Sequence, residues 1–125
     1  MTRILIVEDN EMNLDMLSRR LARAGFEIVT AGSGVGIVER VRAERPDLVL
    51  MDLGLPEVDG FAATAALRAE QDLHGLPIVA LTAHALTTDR ERALAAGCND
   101  FATKPVEFTS LIERIHALLA KGSRG

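Results

Sequence analysis

Five residues with useful chemistry each lie just after a short segment of the sequence that reads as a β-strand. Glu8 and Asp9 come after ILIV and Asp52 comes after LVLM, while Thr82 follows IVAL and Lys104 follows DFAT. Three carboxylates that lie close together raise one another's pKa values unless a cation joins them. Because the set contains no His or Cys, its oxygen ligands favour Mg²⁺ or Mn²⁺ over zinc. The pattern therefore predicts a site for a divalent cation.

A phosphoryl group is the natural companion of such a cation, because Mg²⁺ readily accepts a phosphoryl oxygen as a ligand. Lys104 offers an ammonium to another oxygen of that group, and Thr82 offers a hydroxyl donor. Together with the metal they would neutralise the charge of a phosphoryl group in transfer. Asp52 is then the candidate nucleophile, which would form an aspartyl phosphate.

An alternation of strand and helix patterns explains how these residues would meet. Each apolar run is followed by a segment of helical period, which predicts right-handed crossovers and a parallel sheet covered on both faces. The fold class is therefore a doubly wound α/β fold, and its site is expected beyond the carboxyl ends of the strands. Gly25 and Gly97 are expected to end two of the helices. The predicted strands cover 4–7, 26–30, 48–51, 78–81 and 100–103, and the predicted helices cover 11–24, 35–44, 61–70, 89–96 and a final helix around 111–119.

Composition and charge exclude several classes of function. The net charge is −4, aromatic residues make up 3% of the chain, and Tyr and Trp are absent, which argues against a nucleic-acid surface. Asp9 interrupts the N-terminal apolar run too early for a signal peptide, and no membrane segment is predicted. The single cysteine, Cys98, is expected to be a small buried residue. A cytoplasmic protein is predicted.

Four motifs in this sequence resemble those of the receiver domain of two-component response regulators. They are VEDN at 7–10, LMDLGLPEVDG at 50–60, ALTA at 80–83 and TKP at 103–105, in the family's order and spacing. The resemblance covers essentially the whole chain, which resembles single-domain regulators such as those of chemotaxis and cell-cycle control. It implies a flavodoxin-like sheet with strand order 2-1-3-4-5, a receiver domain over 1–121, a frayed tail at 122–125 and no output domain.

The resemblance also implies how the acids act. Asp52 would accept a phosphoryl group from a sensor histidine kinase or a histidine phosphotransfer protein. The protein would catalyse its own phosphorylation and dephosphorylation without being a conventional enzyme. Mg²⁺, or Mn²⁺ in its place, would be held by Glu8, Asp9, Asp52 and the backbone carbonyl of Gly54.

A switch between two conformations follows from the same resemblance. Thr82 and Lys104 would bind the phosphoryl oxygens, and the Lys104–Pro105 bond is expected to be cis in a tight turn. Phe101 stands where the family has an aromatic residue that swings inward when the threonine moves. It replaces the frequent tyrosine, so the switch would depend on burial of the ring without a phenolic hydroxyl. His84 and Gly54 occupy the two variable positions beside the site, which tune hydrolysis of the phosphate in this family.

Two partner surfaces are predicted. In related receivers the first helix docks the phosphodonor, which makes Asn13, Met16 and Arg20 contact candidates. A downstream effector would bind the face formed by the last two helices and the fifth strand, and the protein would be a monomer or a weak dimer.

Other functions on this architecture fit the residues less well. An aspartyl phosphohydrolase commonly has a second acid two residues after its nucleophile, where this chain has Gly54. A flavodoxin-like electron carrier needs a phosphate-binding loop after the first strand, and Glu8 and Asp9 would repel that phosphate. The alternative that stays open is a degenerate receiver that acts as a constitutive protein-binding module.

Overall fold

The protein is described by a computed structural model in which residues 1–55, 57–83 and 87–122 are placed. These residues form one five-stranded parallel sheet in the order β2-β1-β3-β4-β5, with helices on both faces. This confirms the predicted fold class. The strands are β1 (Arg3–Val7), β2 (Glu27–Ala31), β3 (Leu48–Asp52), β4 (Ile78–Thr82) and β5 (Asp100–Thr103). The α-helices are α1 (Glu11–Arg23), α2 (Ile37–Glu44), α3 (Gly60–Arg68), α4 (Thr87–Ala96) and α5 (Phe108–Gly122), and a 3₁₀ turn spans Gln71–Leu73.

The core consists of two apolar layers, one on each face of the sheet. The central strands β1, β3 and β4 are almost completely buried, which explains why their sequences are continuous apolar runs without alternation. Leu5 and Val7 of β1 face the layer under α2, α3 and α4. Ile4 and Ile6 face the layer under α1 and α5. Apolar packing therefore fixes the sheet from both faces, and the residues at the carboxyl ends of its strands keep defined positions.

Helix ends follow local signals, and these correct several predicted boundaries. Helix α1 begins after Asn10, whose side chain accepts a hydrogen bond from the N–H of Asn13 at 2.9 Å. Helix α2 starts at 37 and not at 35, because Gly36 adopts a left-handed conformation (φ 68°) just before it. Helix α3 covers 60–68 and not 61–70, because the chain tightens into the 3₁₀ turn that follows. Gly25 and Gly97 have φ of 104° and 118°, as predicted for helix stops.

The other boundaries that differ do so by one or two residues, except at α5, which extends about three residues beyond the predicted 111–119 at each end. Strand β1 begins at 3, β2 covers 27–31 and α1 ends at 23, while β3 and β4 each include the functional residue that follows the apolar run. Helix α4 begins at 87. Helix α5 runs to Gly122, and residues 123–125 lie outside the described residues, so the frayed tail and the domain limits stay predictions. Within the described part of the chain, no helix is both long and apolar enough to cross a membrane.

Cys98 lies in the apolar layer under α2, α3 and α4, with 5% of its surface exposed. Its sulfur is 3.7 Å from the hydroxyl of Thr64. Burial raises the pKa of the Cys98 thiol, and the Thr64 contact and the nearby Arg68 guanidinium offset this only in part. We predict that iodoacetamide alkylates Cys98 about a hundredfold or more slowly in the native protein than in urea, because the buried thiol forms little thiolate. Mass spectrometry would follow the reaction, and equal rates in both states would contradict the described core.

Candidate functional site

A cleft of about 390 Å³ lies at the carboxyl edge of the sheet. It is lined by residues at, or just after, the carboxyl ends of four different strands, among them Glu8, Asp9, Asp52, Thr82 and Lys104. The sheet register brings these residues to one level, because Val7 pairs with Met51, Asp52 with Leu81, and Thr82 with Thr103. All five residues that sequence reasoning selected for their chemistry therefore meet in one cleft.

Three carboxylates come close enough to share one cation. One oxygen each of Glu8, Asp9 and Asp52 lies within 4.8 Å of the other two. Glu8 and Asp52 are buried, with 1% and 5% exposed, whereas Asp9 is open to solvent. Two buried carboxylates so close together are unfavourable without compensating positive charge. The oxygen-only donor set and its open side suit a hard divalent cation that keeps several water ligands.

Lys104 supplies the positive charge that the buried acids need. Its ammonium lies 2.9 Å from Oε1 of Glu8 and 3.2 Å from Oδ1 of Asp52. The backbone N–H of Lys104 donates to the carbonyl of Thr82 at 2.7 Å, and the Lys104–Pro105 peptide bond is cis, as expected. The turn after β5 therefore places the ammonium between Glu8, which follows β1, and Asp52, the last residue of β3.

The pKa values of the ion pair reflect this arrangement. Burial is the main effect that raises the pKa of Glu8, and Asp52 raises it further, while Lys104 and the N–H of Asn10 act in the opposite direction. For Lys104, burial alone would lower the pKa, but Glu8 and Asp52 outweigh burial and leave the pKa above its usual value. The lysine is thus firmly cationic, and Glu8 retains a proton to a higher pH than an ordinary glutamate.

The Asp52 carboxylate is oriented by the loop that follows it. Its Oδ1 accepts a hydrogen bond from the N–H of Gly54 at 3.0 Å and also lies near the Lys104 ammonium. The N–H of Leu53 donates to the carbonyl of Leu81 at 2.9 Å, so the loop continues the sheet pairing for one more residue. Gly54 itself lines the cleft and brings no side chain to it.

The residues predicted to form the switch share one face of the sheet. Thr82 is 5% exposed, and Phe101 is half-buried against the layer under α4. Because Phe101 pairs with Ala80, and Ala80 and Thr82 are two residues apart on β4, both side chains lie on the same face. His84, which was predicted to flank the site, lies outside the described residues.

The predicted docking residues lie along α1. Asn13 lines the cleft, and Met16 is 42% exposed. The guanidinium carbon of Arg20 is 4.3 Å from the centre of the Phe108 ring, so Arg20 packs against the first residue of α5. Met12, one turn before Met16, is 82% exposed. An exposed methionine pair thus lies on the helix that contributes Asn13 to the acidic cleft.

Sequence reasoning missed three residues of the site. Phe61 and Asp89 both line the cleft, from α3 and from the first turn of α4. At Gly60, a Cβ would lie only 2.3 Å from the backbone oxygen of Asp52 and 2.6 Å from Cα of Leu53. The pair Asp59-Gly60 reads as a helix start, and Asp59 does cap α3, but the close approach to Asp52 appears only in three dimensions.

A family model for the response regulator receiver domain matches residues 4–116. The polar-differentiation response regulator DivK of Brucella ovis is 36% identical over 116 residues, which cover 93% of this chain and 94% of DivK. The receiver domain of the sensor histidine kinase PA1611 from Pseudomonas aeruginosa, whose structure has a magnesium ion coordinated in its active site cleft, is similar with a TM-score of 0.88. It is 36% identical, and the match covers 95% of this chain and 98% of that one.

A second similar structure is the co-crystal of the Saccharomyces cerevisiae histidine phosphotransfer protein Ypd1 with the receiver domain of its downstream response regulator Ssk1. The matched chain has a TM-score of 0.83 and 33% identity, with coverage of 91% of this chain and 86% of that one.

Gly60→Ala tests the close approach of α3 to Asp52. We expect a loss of about 1–3 kcal/mol in the free energy of unfolding, because the backbone of Asp52 and Leu53 leaves no room for a methyl group. Urea denaturation followed by circular dichroism would measure the loss. Gly75→Ala is the matched control, since a Cβ there meets nothing within 4 Å, and its effect should stay within about 0.5 kcal/mol. Equal effects of the two substitutions would contradict the packing described here.

Proposed function

Since the chain belongs to the response regulator receiver domain family, we propose that it accepts a phosphoryl group on Asp52 and thereby changes which partner it binds. The donor would be a sensor histidine kinase or a histidine phosphotransfer protein. The observation that carries this proposal is the ammonium of Lys104, which lies 2.9 Å from Glu8 and 3.2 Å from Asp52 in the acidic cleft. The protein would catalyse its own phosphorylation and dephosphorylation and would not be a conventional enzyme.

In the proposed reaction, a carboxylate oxygen of Asp52 attacks the phosphorus atom of a phosphohistidine. An O–P bond forms and the N–P bond of the donor breaks, and the electron pair of that bond stays on the histidine nitrogen. The N–H of Gly54 and the loop pairing of Leu53 hold the Asp52 carboxylate in position for this attack. Lys104 would bind one phosphoryl oxygen, and the hydroxyl of Thr82 would donate to another.

Glu8, Asp9, Asp52 and the backbone carbonyl of Gly54 would hold Mg²⁺ or Mn²⁺. The carboxylate triad fits such an ion, because its donors are all oxygens and lie within 4.8 Å of one another. When bound, the ion neutralises charge on the acids and on the incoming phosphoryl oxygens. Asp9, the exposed member of the triad, would provide the most accessible ligand.

The donor would dock on α1 beside the cleft. Met12 and Met16 are exposed one helical turn apart on α1, and Asn13 of the same helix lines the cleft. Methionine side chains adapt to varied apolar partners, which suits a docking surface. Arg20 extends this surface toward α5. The Ssk1 receiver was crystallised with its phosphotransfer protein Ypd1, which supports a donor of this kind.

The effector would bind the face formed by α4, β5 and α5. Phe101 lies on β5 on the same face of the sheet as Thr82, so a movement of Thr82 toward a phosphoryl oxygen would open space for the ring to move inward. The outcome is a two-state switch in a cytoplasmic monomer or weak dimer that binds neither nucleic acid nor membrane.

The first experiment measures the mass of the intact protein after incubation with acetyl phosphate, with and without Mg²⁺. We expect a Mg²⁺-dependent gain of one phosphoryl group in the native chain and none in Asp52→Asn, because asparagine is not a nucleophile of this kind. Asp72→Asn, which removes an exposed acid paired with Arg42 away from the cleft, should gain the group as the native chain does. If Asp52→Asn takes up the group at the native rate, Asp52 is not the acceptor.

A lack of uptake by the folded native chain from acetyl phosphate would call for a histidine kinase as donor. A lack of uptake from that donor as well would favour the constitutive binding module.

Metal binding should stabilise the protein in a pH-dependent way. Because the pKa of Glu8 is raised in the folded state, the metal-free protein binds more protons than the unfolded chain and loses stability as pH rises through the raised pKa. Mg²⁺ needs the deprotonated acid, so its stabilising effect should grow over the same range. We expect the melting temperature to rise by about 5 °C at pH 8 when Mg²⁺ exceeds its dissociation constant tenfold, and by less at pH 5.

The control for this melting experiment is NaCl at the same ionic strength, which should not reproduce the shift. Asp9→Asn should reduce the shift while keeping the fold, since Asp9 is exposed. Equal shifts at both pH values, or an equal shift with NaCl, would argue against the carboxylates as the metal ligands.

A further inference from the structure

The C-terminal end of α4 is anchored by Arg68 of α3. The guanidinium of Arg68 donates to the carbonyl of Gly97 at 2.9 Å, to the carbonyl of Leu73 at 2.9 Å and to Oδ1 of Asn99 at 2.8 Å. The same oxygen of Asn99 accepts from the N–H of Ile78, where β4 begins. The segment that follows this end of the helix is thus tied to α3 by the Arg68 guanidinium and to the sheet by the side chain of Asn99.

The middle of α4, nearer the cleft, is held by contacts of another kind. The guanidinium carbon of Arg90 lies 5.3 Å from the centre of the Phe101 ring, and that of Arg92 lies 4.0 Å from the centre of the Phe61 ring. In the ranges 1–55, 57–83 and 87–122, neither arginine forms a salt bridge. Contacts of this kind at exposed positions shift an equilibrium by only about two- to fivefold each.

The two arginines point to opposite sides of the helix. Residues two apart in an α-helix differ by about 200° around its axis. Arg90 therefore reaches the β5 side, where Phe101 lies, and Arg92 reaches the α3 side, where Phe61 lines the cleft. Asp89, next to Arg90, also lines the cleft. One helix thus links a wall of the cleft to the ring that faces the proposed effector surface.

We propose that α4 pivots about the Arg68 anchor and that Arg90 and Arg92 couple the positions of the two rings they contact. We call these two arginines latches: through them, a displacement of Phe61 moves Phe101, and a displacement of Phe101 moves Phe61. The inference rests on the proposed function in that phosphorylation of Asp52 would supply the displacement. Phe101 has no hydroxyl that could hold it by a hydrogen bond, so packing and the Arg90 guanidinium set its position. Arg90 and Arg92 are positioning residues in this scheme.

Fluorine NMR of protein labelled with 4-fluorophenylalanine tests the latches without phosphorylation. The chain has four phenylalanines, so four resonances are expected, and single Phe→Leu variants would assign them. Arg90→Met removes the charge and keeps much of the side-chain length. We expect it to shift the Phe101 resonance and also the Phe61 resonance, and Arg92→Met to shift both as well. We call a shift of the ring that the substituted arginine does not contact a cross-shift. If each substitution shifts only the resonance of the ring that its arginine contacts, the latch proposal is wrong.

Two substitutions serve as controls. Arg20→Met removes a guanidinium from above the Phe108 ring on the other face of the sheet, and it should shift the Phe108 resonance without shifting Phe61 or Phe101. Glu91→Gln changes a charge between the two latches without a ring contact, and it should shift neither ring. Cross-shifts that also occur in Glu91→Gln would reflect the charge of α4 alone and would overturn the proposal.

Phosphoryl uptake measured on the same samples separates this inference from the proposed function. We expect Arg90→Met and Arg92→Met to be phosphorylated by acetyl phosphate about two- to fivefold faster than the native chain, because each loses one contact that holds α4 in its resting position. Glu91→Gln should react at the native rate. No uptake by any variant or by the native chain would refute phosphorylation from this donor, while the cross-shifts in untreated protein would still decide the latch proposal. Uptake at unchanged rates together with absent cross-shifts would refute the latches alone.

Discussion

The charge compensation between Lys104 and the two buried acids is the constraint on which the rest of the structure depends. Glu8 and Asp52 are almost completely buried, and their carboxylates would destabilise the folded state without a nearby cation. Lys104 meets both of them only because three strands of one sheet end at the same level. The charge balance of the site therefore depends directly on the register of the sheet. A slip of one residue in β3 would turn Asp52 to the other face and leave Glu8 and Lys104 without it.

A rigid sheet and a loosely attached helix have different tasks in this molecule. The central strands are buried between two apolar layers and hold the acids at fixed distances. Helix α4 carries a polar surface, and only Ala93 among its residues belongs to the fully buried core of the described chain. Little apolar burial opposes a displacement of this helix, whereas a displacement of β3 would disrupt the whole core. A displacement of α4, beside the cleft, thus costs little free energy, whereas a displacement of the strands that carry the acids costs much more.

Much of the fold and of the site could be predicted because both are encoded locally. Apolar runs of four residues that end in Asp52 or Thr82 specify a strand and the position of the functional side chain at once. The strand order, the fold class and the family were all confirmed by the sheet and by the similar proteins. Boundaries were less accurate where one backbone angle decides them, as at Gly36. The roles of Gly60, Phe61 and Asp89 depend on how α3 and α4 approach the sheet, and no spacing within one segment encodes that approach.

The two outer strands of the sheet have a consequence for the behaviour of the protein in concentrated solution. On β2, Ala31 accepts a hydrogen bond from Glu8 on the inner side, so the carbonyl of Thr30 points outward, where Arg40 of α2 donates to it at 2.6 Å. That acceptor is unavailable to a strand from another molecule. On the other edge, β5 has only four residues, begins at a charged Asp100 paired with Arg114, and ends before Pro105. Edge strands that are short or blocked by charged groups and proline resist pairing with a strand of another molecule. Both edges of this open sheet are thus protected against edge-to-edge aggregation.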